Sequence, residues 1–278
     1  MFLYKETVTV EKTMTDYLSS ILARRRRDVA ASQTRVPLAA LQSLAKGTRA
    51  SRRPFADRLR KASPIGIIAE IKRASPSKGD MAPDLDPVAL ARAFEKGGAV
   101  ALSVLTEPHD FKGSLDDLKA ARQACSLPVL RKDFLFCDYQ LYESAAMGAD
   151  AVLLIVKILP EPDLARLHKL AGELGLDALV EAASAEEVEC ACKIGASIIG
   201  INTRDLCTFK MDPDRAARLL PPPAPGRIVI SLSGVAARAD IDRQFKAGIS
   251  RFLVGESLVR APDPVAALKR LRGVRGAA

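Results

Sequence analysis

The stretch 227–259, RIVISLSGVAARADIDRQFKAGISRFLVGESLV, contains two short apolar runs joined by a helix-like segment. The first run ends in Ser233 and Gly234, and the second ends in Gly255. Apolar, β-branched runs favour buried strands, whereas the segment between them has the period of an amphipathic helix. Strands joined by a helix of this length must be parallel, because a hairpin cannot connect them. The stretch therefore predicts a strand–helix–strand unit.

The same unit recurs along the chain. Short apolar runs begin near residues 65, 100, 128, 151, 178, 198, 227 and 251. Helix-period segments lie between them, and several of these start after Ser or Asp and stop at Gly. Eight parallel strands close into a barrel more naturally than into an open sheet, since side chains just fill a barrel of that size. We predict the α/β class and a single (β/α)8 TIM barrel with an N-terminal helical extension.

The extension is residues 1–60, and the barrel is residues 61–278, together one structural domain. The segment 14–32, MTDYLSSILARRRRDVAAS, predicts an amphipathic helix capped by Thr15 or Asp16, with residues 1–13 unstructured. Its arginine run is expected to form a solvated basic face. A second helical piece lies at 54–62, and the extension is expected to cap the bottom of the barrel or to flank its mouth.

Composition limits the classes of partner. The chain is 48% hydrophobic and has no Trp, which suits a core of Val, Ile, Leu and Ala. Its longest apolar run, AVLLIV at 151–156, is too short to span a bilayer, and the N-terminus lacks the apolar stretch of a signal peptide. We expect a cytoplasmic protein with no membrane partner. The net charge of +9 is spread out, which disfavours a nucleic-acid partner but attracts an anionic small molecule.

The cysteines argue against a metal site. Five are scattered through the chain, which is typical of reduced thiols in the core rather than of a disulfide framework. Cys190 and Cys192 lack metal-ligand spacing, and no His lies near them. We expect no metal and no cofactor.

Charged residues cluster where strands end, which is where barrels place their reactive groups. Period-two alternation turns Glu70 and Lys72 inward at the end of the first strand. Lys132 ends the third strand, Glu181 the fifth and Asn202 the sixth. Each taken singly is compatible with a structural ion pair, but their convergence predicts an acid–base site that uses ammonium and carboxylate groups.

The turns after the last two strands predict a phosphate site. Barrels commonly bind phosphate at this place through backbone N–H groups, here those around Ser233, Gly234, Gly255 and Glu256. The Glu256 carboxylate would repel phosphate, so we expect it to face solvent.

Several motifs resemble those of indole-3-glycerol phosphate synthases. The similarity runs from about Met14 to the last helix and is carried by IIAEIKRASPSKG, SVLTEPHDFKGSLDDL, LPVLRKDFLFCDYQLYESAAMGADAVLLI, LVEAASAEEVECACKIGASIIGINTRDL and FLVGESLVR. The resemblance implies a (β/α)8 barrel with an N-terminal extension. It also implies conversion of 1-(2-carboxyphenylamino)-1-deoxyribulose 5-phosphate to indole-3-glycerol phosphate, CO₂ and water in tryptophan biosynthesis.

The resemblance also implies catalytic roles. Lys132 resembles the general acid that protonates the ketose carbonyl, and Glu181 resembles the base of the later dehydration. Glu70 and Lys72 are similar to a partner acid–base pair, and Lys72 also reaches a substrate anion. Asn202 would hold a substrate hydroxyl or carboxylate.

Three further residues are implied to bind substrate. Arg204 and Ser75 would lie near its anionic groups, and Phe111 would form part of the apolar wall around its aromatic ring.

One position departs from the family pattern. The motif after the seventh strand is Ser-Glu-Ser-Gly in the family, whereas this chain has Leu232 in place of the glutamate. Leu232 either points into the barrel mouth or turns toward the surrounding helices. The departure supports an alternative function, a catalytically weakened barrel that binds an anionic sugar phosphate as a sensor or subunit.

A third function, a sugar-phosphate isomerase of the same pathway, would use a Cys/Asp or Glu/His pair at strand ends, and the sequence places none there. The expected partner is a phosphorylated small molecule, with a neighbouring enzyme of the pathway as a further candidate.

Overall fold

The computed structural model describes residues 3–204 and 211–274, with side chains described from residue 17 onward. Its centre is a closed parallel barrel in which every strand pairs with its neighbours in the chain and the eighth pairs with the first. The eight strands are β1 (Gly66–Ile71), β2 (Ala101–Leu105), β3 (Val129–Lys132), β4 (Ala151–Ile155), β5 (Asp177–Ala182), β6 (Ile198–Ile201), β7 (Ile228–Ser231) and β8 (Arg251–Val254). The predicted (β/α)8 barrel is confirmed.

Helices surround the barrel and extend it at the N-terminus. They are α1 (Leu3–Arg35), α2 (Leu38–Thr48), α3 (Phe55–Lys61), α4 (Pro87–Gly97), α5 (Leu115–Ala124), α6 (Asp138–Ala146), α7 (Glu161–Glu173), α8 (Ala185–Lys193), α9 (Arg215–Arg218), α10 (Arg238–Lys246), α11 (Glu256–Val259) and α12 (Pro264–Arg272). Single 3₁₀ turns occupy Arg49–Ser51 and Val156–Ile158, and Ala74–Ser75 pairs with Gly79–Asp80 as a small hairpin. None of the described helices is long and apolar enough to cross a membrane.

Local sequence explains where several helices begin and end. The side chains of Ser114 and Ser184 accept backbone N–H groups of the first turns of α5 and α8. Asp86 does the same for α4, which has Pro at its first position and stops at Gly98 with φ of 87°. These are the start and stop signals that the sequence predicted.

Period-two alternation divides each strand between two environments. The inward positions, among them Ile68, Leu130, Leu179 and Ile230, form one buried cluster inside the barrel. The alternate positions pack against the helices, as Ile67 does at 0% exposure. Two positions after each of these four inward residues, the next inward side chain lies at the carboxyl end of the strand and borders the cavity described below.

The first helix is longer than predicted. Because α1 runs from Leu3 to Arg35, the expectation of an unstructured segment 1–13 is wrong from Leu3 onward, and so is an N-cap at Thr15 or Asp16, both inside the helix. Residues 1 and 2 lie outside the described chain. A helix that is already nucleated extends by one hydrogen bond per residue, and such extension requires no apolar stripe.

The extension covers both ends of the barrel. Phe55 and Leu59 of α3 are fully buried and join the inner cluster from below. The N–H of Ala56 donates to the carboxylate of Asp177, at the start of β5, over 2.8 Å. Both predicted positions of the extension are therefore found, since α3 closes the bottom of the barrel and α1 lies beside its mouth.

The four described cysteines are free thiols, as predicted, but each is half-buried and none lies in the core: Cys125, Cys137, Cys190 and Cys192. Cys207 lies outside the described residues.

Candidate active site

A cavity of about 140 Å³ opens at the carboxyl ends of the strands. It is bordered by Glu70, Lys72, Ser75, Pro76, Ser77, Leu105, Phe111, Lys132, Phe134, Ile155, Glu181, Asn202, Arg204, Leu232, Ser233 and Glu256. Ten of the twelve predicted site residues line it, and the remaining two, Gly234 and Gly255, are neighbours of lining residues. The residues that the sequence predicted to converge therefore do so.

The first lysine–carboxylate pair lies at the end of β1. Lys72 Nζ is 2.6 Å from Glu70 Oε1, and both side chains are largely buried. The Ser103 hydroxyl, on neighbouring β2, lies 3.4 Å from the other carboxylate oxygen. Alternation along β1 turns both charged residues inward, as predicted.

The second pair joins β3 to β5. Lys132 Nζ lies 3.5 Å from Glu181 Oε2, and the amide of Asn202 donates to Glu181 Oε1 over 2.9 Å. Glu181 has only 2% of its side chain exposed, whereas Lys132 retains 20%. The ammonium is thus accessible from the cavity, and the carboxylate is oriented from both sides.

Asn202 is itself oriented by the turn after β7. Its amide oxygen accepts the Ser233 hydroxyl over 2.8 Å and the Arg204 N–H over 3.0 Å. The Thr203 hydroxyl lies 2.8 Å from the carbonyl oxygen of Ser233. These bonds fix the β7 turn against the end of β6, which leaves the Asn202 amide group directed at Glu181.

The two glycine turns present free backbone donors. The N–H groups of Gly234, Gly255 and Glu256 have no acceptor among the described residues. Gly234 has φ of 81°, a conformation that favours glycine. At Gly255 a Cβ would lie 2.7 Å from Glu70 Oε1, so that this glycine allows β8 to approach the first lysine–carboxylate pair.

Glu256 departs from its prediction. Its side chain is 36% exposed, borders the cavity and lies 3.6 Å from Lys78 Nζ of the small hairpin. The expectation that its carboxylate faces solvent is therefore wrong in part, because a nearby ammonium attracts it to the cavity rim.

One wall of the cavity is apolar. The rings of Phe111 and Phe134 lie 6.3 Å apart at 47°, and Leu105 and Ile155 continue this surface. Phe111 was predicted as part of this wall, whereas Phe134, Leu105 and Ile155 were not predicted from the sequence. Period-two counting could have found Leu105 and Ile155, since each is the last inward residue of its strand.

The arginine run of α1 is not a solvated face throughout. Arg25 is 6% exposed and makes two hydrogen bonds to Asp133, of 3.0 and 2.8 Å. Arg131 approaches the same carboxylate from β3, with 3.1 Å between Nη2 and Oδ2. Burial opposes ionisation of Asp133, but Arg131 and Arg25 hold its pKa below the ordinary value. This ion cluster ties the extension to the residue that follows Lys132.

A family model described as indole-3-glycerol phosphate synthase matches residues 18–271. The chain belongs to that family. An indole-3-glycerol phosphate synthase from Desulfosudis oleivorans is 53% identical over 261 residues, which cover 93% of this chain and 99% of the relative. Another from Laribacter hongkongensis is 46% identical over 262 residues, with the same coverage of 93% and 99%. Membership makes the chain a carboxy-lyase of tryptophan biosynthesis.

Solved structures resemble the chain in fold alone. The thiamine phosphate pyrophosphorylase from Pyrococcus furiosus has a TM-score of 0.59 at 17% identity and covers 80% of this chain and 97% of its own. The 3-hexulose-6-phosphate synthase from Salmonella typhimurium has a TM-score of 0.58 at 12% identity, with 76% and 98% covered.

Leu232 lies at the barrel mouth, where the resemblance implied a glutamate. It is 6% exposed, belongs to the inner cluster and borders the cavity. It also covers Gly200, where a Cβ would lie 2.5 Å from Leu232 Cδ1. The alternative that Leu232 turns toward the surrounding helices is wrong, and an apolar side chain borders the site where the resemblance implied a carboxylate.

Proposed function

We propose that this cavity is where the family reaction takes place, with the two lysine–carboxylate pairs as its acid–base groups. The observation that carries the proposal is the presence of both pairs, Lys72–Glu70 and Lys132–Glu181, in one cavity with an aromatic wall. Ring closure develops negative charge on the carbonyl oxygen and positive charge on the arene. A largely buried site with both ammonium and carboxylate groups stabilises both charges.

Lys132 is the general acid of the first step. The ring carbon that bears the carboxylate attacks the ketose carbonyl carbon, and the carbonyl oxygen takes a proton from Lys132 Nζ. Loss of CO₂ leaves its bonding electrons in the ring and restores aromaticity. Glu181, oriented by Asn202, then removes a proton from the neighbouring methylene carbon while Lys72 donates a proton to the new hydroxyl, which leaves as water.

The remaining residues bind the substrate. The free N–H groups of Gly234, Gly255 and Glu256 hold the phosphate, with Ser233 at the same turn. Lys72, paired with Glu70, acts as the second acid–base group and attracts a substrate anion. These backbone donors, together with the net charge of +9 of the chain, match a phosphorylated small molecule as substrate.

Arg204 and Ser75 border the same cavity and contribute to anion binding, whereas Phe111 packs against the aromatic ring of the substrate.

Replacing Gly234 by alanine is expected to weaken phosphate binding. The left-handed backbone, with φ of 81°, disfavours an L side chain, and the new Cβ would lie 2.9 Å from Thr203 Oγ1. The turn must therefore shift, so that its N–H groups no longer point toward the phosphate. We expect KM for the substrate and Ki for inorganic phosphate to rise at least about tenfold, the typical loss of one hydrogen bond to a charged group.

Gly195→Ala is the matched control, because Gly195 has φ of 77° with nothing near the site of its Cβ. It incurs the same backbone strain far from the cavity, so both constants should stay unchanged. Equal Ki values for phosphate in wild type and Gly234→Ala would contradict the assignment of the phosphate site.

Leu232→Glu is expected to accelerate turnover. A carboxylate at this position would stabilise the developing cation, and a preorganised group of this kind commonly contributes roughly 10²- to 10³-fold. Loss of the packing around Leu232 offsets part of this gain in kcat. We therefore expect kcat to rise at least about tenfold with little change in KM. Steady-state kinetics of the purified variant provide the measurement.

Leu232→Gln has nearly the shape of the glutamate without its charge and should remain as slow as the wild type. If Leu232→Glu and Leu232→Gln have equal kcat values, charge at this position does not matter. If wild type and Leu232→Glu are both inert yet bind phosphate, the weakened-binder function is favoured.

A further inference from the structure

The loop that follows β2 is held by a buried carboxylate. Glu107 is 0% exposed, and its Oε1 accepts the N–H of His109 over 3.0 Å. Its Oε2 accepts the N–H groups of Asp110 over 2.7 Å and Phe111 over 2.9 Å. Three successive donors therefore converge on one side chain, and the last belongs to the residue whose ring forms the cavity wall.

The carboxylate of Glu107 is held by backbone N–H groups rather than by a cation of the described residues. Among the residues that the structure describes, no ion pair involves Glu107. A buried charge is costly unless its oxygens are hydrogen-bonded, and converging backbone N–H groups form an anion-binding concavity. The loop conformation and the buried carboxylate consequently stabilise each other.

The opposite ring is fixed in the same manner. The N–H of Phe134 donates to Asp133 Oδ1 over 2.8 Å, and Asp133 is buried. Each ring of the aromatic wall thus belongs to a residue whose backbone N–H is held by a buried carboxylate. The Asp133 carboxylate is part of the ion cluster described above, whereas the three backbone N–H groups that Glu107 accepts belong to its own loop.

We propose that Glu107 is a positioning residue for the aromatic ring of the substrate. Its carboxylate fixes the backbone at Phe111, so that this ring lies opposite Phe134 and closes the apolar wall. Glu107 itself does not border the cavity and touches no reacting atom. The kinetic part of the inference rests on the proposed function, whereas the placement of the loop does not.

Glu107→Gln tests the inference by kinetics. An amide has one accepting oxygen and one NH₂ group, so at least one of the three N–H groups loses its acceptor. We expect KM for the carboxyphenylamino substrate to rise roughly tenfold, the typical cost of one hydrogen bond to a charged group, with kcat and Ki for inorganic phosphate nearly unchanged.

Glu95→Gln is the matched control. Glu95 Oε1 accepts the N–H of Ser126 over 2.8 Å at the opposite end of the barrel, so the same chemical change should leave all three constants unaltered. An unchanged KM in Glu107→Gln, or equal increases in KM and in Ki for phosphate, would overturn the inference, since a general loosening of the site would affect both.

A double-mutant cycle tests whether Glu107 acts through Phe111. In a Phe111→Ala background the ring is absent, so Glu107→Gln should raise KM by less than about twofold, far from additivity. Additive effects in the two backgrounds would show that Glu107 acts by another route.

Amide hydrogen exchange of the wild type keeps the inference testable if a variant fails to fold. The N–H groups of Asp110 and Phe111 should be protected in the free protein. Exchange at the rate of an unstructured chain would overturn the inference. This measurement needs no substrate, so failure of the proposed function and failure of this inference are distinguishable.

Discussion

Lys132→Ala is expected to lower kcat by about 10²- to 10⁴-fold, the range typical of a deleted general acid. The ammonium is the group that approaches Glu181 across the cavity and retains 20% exposure, which lets it reach a substrate oxygen. Removing a partly exposed lysine leaves no cavity in the core, so the thermal midpoint should change little. Steady-state kinetics and thermal unfolding of the same preparation provide both measurements.

Lys193→Ala is the control for this variant. Lys193 Nζ lies 2.6 Å from Glu161 Oε1 in an ion pair at the surface, away from the cavity. Its removal should change neither kcat nor the thermal midpoint. If Lys132→Ala lost activity and thermal stability together, Lys132 would be a structural ion-pair partner rather than the general acid.

Asp133→Asn is expected to destabilise the fold by about 3–5 kcal/mol, the typical cost of removing one partner from a buried ion pair. The substitution leaves the guanidinium groups of Arg25 and Arg131 buried with one negative charge fewer between them. Denaturant unfolding at neutral pH provides the measurement. Asp163→Asn is the control, because the exposed Asp163–Arg166 pair should contribute less than about 1 kcal/mol.

The effect of Asp133→Asn should depend on pH. Because the folded protein lowers the pKa of Asp133, the stabilisation is fully present above the ordinary aspartate value. It is lost as the pH falls below about 4 and through the folded pKa, so the difference between wild type and variant should narrow on acidification. A difference that stayed constant down to acid pH would show that the charge of Asp133 does not stabilise the fold.

The barrel and most of its cavity follow from local sequence rules. A strand alternates its side chains with a period of two, so Glu70 and Glu181 could be placed inside before the barrel was seen. The orientation of Leu232 follows from the same rule, although the sequence analysis left it open.

Contacts between distant segments could not be predicted in this way. Four consecutive arginines look alike in the sequence, and nothing near them indicates that Arg25 is the buried one. Its partner Asp133 is 108 residues away along the chain. The burial of Glu107 was missed for a related reason, because carboxylates are rarely buried and a turn is their ordinary place. Its three N–H partners become visible only once the loop conformation is known.

We propose that the indole ring is formed in this cavity. The most direct measurement is incubation of the purified protein with 1-(2-carboxyphenylamino)-1-deoxyribulose 5-phosphate while indole fluorescence is recorded, and the absence of Trp from the chain keeps the background low. We predict slow formation of indole-3-glycerol phosphate by the wild type, faster formation by Leu232→Glu and none above background by Lys132→Ala. Product formation by Lys132→Ala at the wild-type rate, or none by either wild type or Leu232→Glu, would contradict the claim.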